Sequence, residues 1–251
     1  MISLKGELFL RKEYWYVIIT YLAMQFSSFI GLPLSMFIGR TLGVPSGELK
    51  LTAFAYWSIF SFLLALLLTL FFMRHDMKES ALTRDKASAS ISLSTFWAIC
   101  GVFLALFAQS IAITIEQKIG IQTESANTQE ILSVIDKIPL MIVVSSIIGP
   151  ILEEIIFRKI IFGSLYKRFN FFIAALISSF IFGLAHMEPE HLLLYSAMGF
   201  TFAFLYIQTK RILVPIIAHV SMNTLVVIMQ MYSEDIQNFM QNMQAFIGGF
   251  L

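Results

Sequence analysis

Apolar residues dominate seven stretches of this chain, and the polar positions fall between those stretches rather than alternating within them. Residues 14–39, 51–73 and 87–115 carry no charge; 138–162 is interrupted by charges; 169–185, 192–209 and 212–233 follow. A helix needs roughly 20 predominantly apolar residues to cross a bilayer core, and each run meets or approaches that length. The pattern predicts an all-α, polytopic membrane protein of seven transmembrane helices, or eight if one crossing is hidden. Residues 14–39 are too long for a signal-peptide core of about 7–15 residues, so they read as a retained first span. The tail, 234–251, is weakly amphipathic and suits a membrane surface better than a crossing. No internal repeat is visible. The chain divides into N-terminal spans (1–137), a polar-studded core (138–232) and the tail (233–251), all within one integral-membrane unit.

Composition agrees. Of 251 residues, 58% are hydrophobic and 13% charged, with 25 Phe, where soluble domains average about 25% charged. Mean hydropathy is +0.80. The net charge of +1 is made of scattered cations, which excludes a nucleic-acid surface. Cys100 stands alone, so neither an internal disulfide nor a Cys-based structural metal site is available. The cations orient the spans. Placing the N-terminus inside puts thirteen Lys/Arg on inner segments (Lys5, Arg11, Lys12; Arg74, Lys78, Arg84, Lys86; Arg158, Lys159, Lys167, Arg168; Lys210, Arg211). Four (Arg40, Lys50, Lys118, Lys137) fall outside. The positive-inside rule then predicts a cytoplasmic N-terminus and an external C-terminus, in the cell membrane.

Candidate chemistry lies in the second half. Ionisable groups at membrane depth cost about 2.5–3.5 kcal/mol each on insertion scales and usually mark function. The fourth run reads Gly149-Pro150-Ile151-Leu152-Glu153-Glu154-Ile155-Ile156-Phe157-Arg158. Glu154 and Arg158 are i,i+4 with the acid first, the favourable order for a pair. Glu153 points about 100° away on an α-helical wheel and has no partner at that spacing. The fifth run ends Phe182-Gly183-Leu184-Ala185-His186, where Gly183 would let another helix approach closely. Glu188, Glu190 and His191 follow and read as a solvated polar loop rather than a metal cluster. The seventh run places His219 and Asn223 one turn apart on one face. An unpaired Glu, two His and an Asn on three spans make a hydrolytic set. A Glu in apolar surroundings can act as a base toward water, and His and Asn can bind a metal or donate to an oxyanion. Neither a Gly-x-Ser-x-Gly nor an HExxH motif occurs, and Cys100 has no His in its span.

The ordered triplet Glu153-Glu154-x-x-x-Arg158, Phe182-x-x-x-His186 and His219-x-x-x-Asn223 resembles the CPBP family, the CAAX-processing and bacteriocin-processing (Abi) intramembrane proteases. The resemblance covers about residues 138–230. It implies an integral-membrane endopeptidase in which Glu153 activates water, His186, His219 and Asn223 complete the site, and Glu154 with Arg158 is an orienting pair. It also implies membrane-associated peptide or lipidated protein substrates, of CAAX, peptide-pheromone or bacteriocin-like kind, as in the family's bacterial branch. Two models follow for the cofactor. In one, zinc is held by His186 and His219, with Glu153 as a third donor; in the other, metal-free, Glu153 activates free water while His219 and Asn223 hold the oxyanion. The residues favour the second, since no third neutral ligand is visible. An ion-coupled transporter is a rival reading, which the missing inverted repeat disfavours, and a non-catalytic regulator on a protease scaffold is another. Straight α-helices would leave Glu153, His186 and His219 at different depths.

Overall fold

The computed structural model describes residues 11–76, 87–122 and 125–248, all-helical in their regular structure. Among the described residues five helices are long and apolar enough to cross a membrane: α1 (Lys12–Thr41), α2 (Leu49–Met73), α3 (Ile91–Lys118), and two later ones that begin at Pro189 and Leu213. The charges at Lys5, Lys78, Arg84 and Lys86 lie outside the described residues.

Local chemistry sets the helix starts. Ser90, Ser125 and Asn170 each accept a backbone N–H from three residues on, at 3.3, 3.1 and 3.0 Å, and so cap α3, α4 (Ala126–Lys137) and α6 (Phe171–Ala185). Between α4 and α6 runs α5, residues 141–166, which alternates in hydrogen-bond register. Its stretches Val144–Ile148 and Glu154–Phe162 are π-helical, and Gly149–Glu153 between them is α-helical. Wide π turns of this kind cluster at functional sites. A short 3₁₀ turn (Pro189–His191) leads into α7 (Leu192–Thr209); α8 (Leu213–Met231) and α9 (Ser233–Gly248) complete the chain. Lys210, in the left-handed region at φ 53°, terminates α7.

The seven apolar runs all become helix, but two fall outside the set of long apolar spans. α6 has 15 residues, about 22 Å at 1.5 Å each, against about 30 Å of hydrocarbon. α5 carries charge in its middle. The amphipathic α4 is an addition that the runs did not foretell. Its Val134 and Ile135 pack with Ala55 of α2, Met141 and Val144 of α5 and Val227 of α8.

Small residues bring the helices together. Ala98, Ala105 and Ala112 recur every seven residues along the buried seam of α3, and Gly101 abuts Leu205 and Ala218. The outer faces are apolar: Phe29, Phe103 and Phe107 are 66–77% exposed. Such large exposed side chains on every face suit a surface solvated by lipid.

Polar contacts gather at the two ends. At one end Tyr14 donates to Asp76 Oδ2 at 3.0 Å and the buried Lys159 ammonium donates to the Asp76 carbonyl at 2.8 Å. Ala89 N–H reaches the Thr209 carbonyl at 3.0 Å. At the other end Glu116 accepts from His191 Nδ1 and from Leu194 N–H, both at 3.0 Å. Lys159, counted among the inner cations, is 1% exposed.

Candidate active site

Glu153 closes the α-helical turn of α5 and Glu154 opens the π-helical one. That change of register separates the fates of two adjacent carboxylates. Glu154 is fully buried. Its Oε1 lies 2.9 Å from His219 Nδ1, and its Oε2 lies 3.2 Å from Arg158 Nε. Arg158 is equally buried, and among the described residues its guanidinium nitrogens have no hydrogen-bond partner. Aromatic faces complete its shell, with the guanidinium carbon 4.2 Å from the Phe182 centroid and 5.4 Å from that of Phe202. The i,i+4 pair expected from the sequence is present.

Glu153 is free of that pairing. Its side chain keeps 19% exposure, and Oε2 stands 3.8 Å from His219 Nε2. It interacts electrostatically with Tyr21 of α1, with His186 and with Arg158. His219 therefore lies between two carboxylates, Nδ1 on Glu154 and Nε2 toward Glu153. Its ring stacks on Phe202, with centroids 4.5 Å apart.

His186 follows the last residue of α6 and turns Nδ1 onto the Phe182 carbonyl at 2.8 Å. A carbonyl oxygen only accepts, so Nδ1 carries the proton and Nε2 presents a lone pair. The Phe182 ring stands between the two imidazoles, 4.6 Å from His186 and 6.0 Å from His219. Asn223 sits one turn beyond His219, half-buried. No hydrogen bond or ion pair ties it to the others among the described residues.

Glu153, Glu154, Arg158, His186 and His219 thus gather around Phe182 and Phe202, although straight helices would have kept them apart. The π turns of α5 advance less per residue along its axis, and α6 is short. Among the described residues no three His, Cys, Asp or Glu side chains gather closely enough to hold a metal ion. The loop after His186 corrects another expectation. Glu190 is exposed, but Glu188 and His191 are 7% and 3% exposed, so they belong to the interior rather than to a solvated face.

Sequence reasoning missed Tyr21, Tyr195 and Phe202. The tyrosines had one signal: a hydroxyl in a Phe-rich span needs a partner. Tyr21 accepts from Gln25 at 3.3 Å and packs edge-on to Phe157.

Residues 135–225 match the family model described as Type II CAAX prenyl endopeptidase Rce1-like. The chain is also 55% identical over 245 residues to "Putative membrane peptidase YdiL" of Bacillus subtilis, covering 96% of this chain and 99% of that one. The chain belongs to the Rce1-like CAAX endopeptidase family. It is 40% identical over 146 residues to "Membrane-embedded CAAX protease MroQ" of Staphylococcus aureus, covering 55% of this chain and 59% of that protein. No solved structure matches it. The family-matched stretch contains every site residue from Glu153 to Asn223, whereas Tyr21 lies outside it.

Proposed function

We propose that the chain is an intramembrane endopeptidase that hydrolyses a peptide bond in a membrane-associated peptide or lipidated protein, with Glu153 as the base. The observation that carries this reading is the division of labour between neighbouring carboxylates: Glu154 is buried and engaged by His219 and Arg158, whereas Glu153 stays partly open at 3.8 Å from His219 Nε2.

Water placed between the Glu153 carboxylate and the His186 Nε2 lone pair loses a proton to Glu153 as its oxygen attacks the scissile carbonyl carbon. Negative charge develops on the carbonyl oxygen. In this reading His219 Nε2–H and the Asn223 amide one turn away donate to that oxygen. The C–N bond then breaks and the proton held by Glu153 passes to the leaving amine. Glu154 and Arg158 hold His219 in this orientation. No step of this route needs a metal. It predicts enzyme with far less than stoichiometric zinc and activity that survives a strong chelator. Stoichiometric zinc, with activity lost on chelation and restored by zinc, would overturn that route.

The substrates this reading favours are peptide-pheromone-like, bacteriocin-like or CAAX-type chains in the cell membrane. Comparative membrane peptidomics of wild type against Glu153→Gln tests it. The variant keeps the volume but not the base, so its cleavage products should vanish at unchanged protein level. Unchanged products would remove Glu153 from the mechanism.

A further inference from the structure

The loop that follows His186 is held unusually firmly. Met187 has φ 59°, a left-handed conformation that an unbranched, non-glycine residue adopts only where its surroundings impose it. This turn folds the chain back so that Glu188 points inward. Glu188 accepts the Tyr195 hydroxyl at 2.6 Å, the Ser125 hydroxyl at 2.8 Å and the Asn127 N–H at 2.9 Å. The last two belong to the N-terminus of α4, so one carboxylate joins the first turn of α4 to a side chain of α7. Glu116 holds the start of α7 from the other side through His191 and Leu194 N–H. Tyr195, one turn into α7, is thereby fixed at both its backbone and its hydroxyl.

The Tyr195 ring lies flat against the His186 imidazole, centroids 3.8 Å apart and planes 21° apart. Phe182 meets the same imidazole edge-on, and the Phe182 carbonyl occupies Nδ1. With these three constraints, Nε2 is the ring nitrogen left for chemistry.

We propose that Tyr195 is a positioning residue for His186, clamped in place by Glu188 at the N-terminus of α4. This rests on the assignment of His186 to the catalytic site. Tyr195 touches no reacting atom; it holds the plane of the imidazole that does, and so keeps Nδ1 on the Phe182 carbonyl that sets the tautomer. A Tyr serving only as core filler would not need a buried hydroxyl ligated by a carboxylate that also caps another helix.

The test uses the full-length protein in micelles. Side-chain nitrogen NMR of histidine-labelled enzyme reads the His186 tautomer without any substrate. Wild type and Tyr195→Phe, which keeps the stack, should show the Nδ1–H form. Tyr195→Leu, which removes it, should show averaged tautomers. For the fastest-cut member of a quenched fluorescent peptide library, Tyr195→Leu should lower kcat on the order of tenfold to a hundredfold with KM little changed, and Tyr195→Phe should recover most of it. A loss of stability alone would reduce the amount of folded enzyme but leave the tautomer and kcat per folded molecule as in wild type. That result, or an unchanged Tyr195→Leu, overturns the proposal. Should Tyr195→Leu not fold, Tyr195→Met, which also removes the stacked ring, replaces it, and an unaltered His186 spectrum there with unaltered kcat has the same meaning. His186→Ala run in parallel separates the two ideas: full activity in that variant sinks the site assignment itself.

Discussion

Arg158 shows how much of this site depends on single buried charges. Its guanidinium is closed off from solvent, 3.2 Å from Glu154 and flanked by two aromatic faces. Removing one member of a buried pair leaves the other charge uncompensated, which costs about 3–5 kcal/mol. Arg158→Ala is therefore expected to lower the detergent-phase unfolding temperature and the protein yield, whereas Glu153→Gln should change neither, because Glu153 is partly open. A wild-type melting curve for Arg158→Ala would show that Glu154 does not need its cation. The i,i+4 spacing made this pair legible in the sequence. His191 and Glu188 were not legible, because their partners Glu116, Ser125 and Asn127 are more than sixty residues away, and a run of polar residues between two spans reads as solvated unless those partners are known. The pairing of Lys159 was no more legible, its partner Asp76 being 83 residues away.

At the scale of elements, apolar runs revealed where helices lie but not their register. No local propensity announces the switch from α to π turns between Glu153 and Glu154. The close approach of α6 and α7 was partly legible from Gly183, which faces Leu192 and Ser196; Gly199 does the same from the other helix. A Cβ on Gly199 would lie 3.1 Å from the Ser179 Cα, and backbone yields less readily than a side-chain tip. Gly199→Val should therefore destabilise by about 1–3 kcal/mol, and because α6 carries His186 it should lower activity as well; melting and cleavage assays check both. The α4 clamp has its own signature. Burial pushes the Glu188 carboxyl up, but hydrogen bonds from Asn127, Tyr195 and Ser125 outweigh it and hold the carboxyl below its ordinary 4.5. The ionised form is the one stabilised by folding, so this contribution is fully present above pH 4.5 and is lost as pH falls through the lowered folded value. Amide exchange in the first turn of α4 should accelerate over that acid range in wild type, and should already be fast at neutral pH in Glu188→Ala. Acid-insensitive exchange in wild type would mean that Ser125 alone holds the cap.

At the scale of the whole molecule, the polar contacts at the two ends of the bundle bear on the number of crossings. Asp76 at the end of α2 meets Lys159 near the end of α5, and Ala89 before α3 meets Thr209 at the end of α7. Glu116 at the far end of α3 meets His191 at the start of α7. Followed along the chain, α5 runs from the Glu116 end to the Asp76 end, and α6 returns to the end where Glu188 and His191 lie. Length and composition alone pick out five spans, but these contacts favour seven, with the short α6 and the charged α5 crossing where protein rather than lipid surrounds their polar groups. With the thirteen-to-four bias in Lys and Arg, the N-terminus is expected in the cytoplasm. Reporter fusions after Lys86 and after Leu251 should then fall on opposite sides, which five or seven crossings both require. A third fusion, after Phe169 between α5 and α6, separates them. If α5 crosses, that reporter lies inside with the one after Lys86; if it does not, the reporter lies outside, and the site residues on α5 would belong to a re-entrant segment instead of a span.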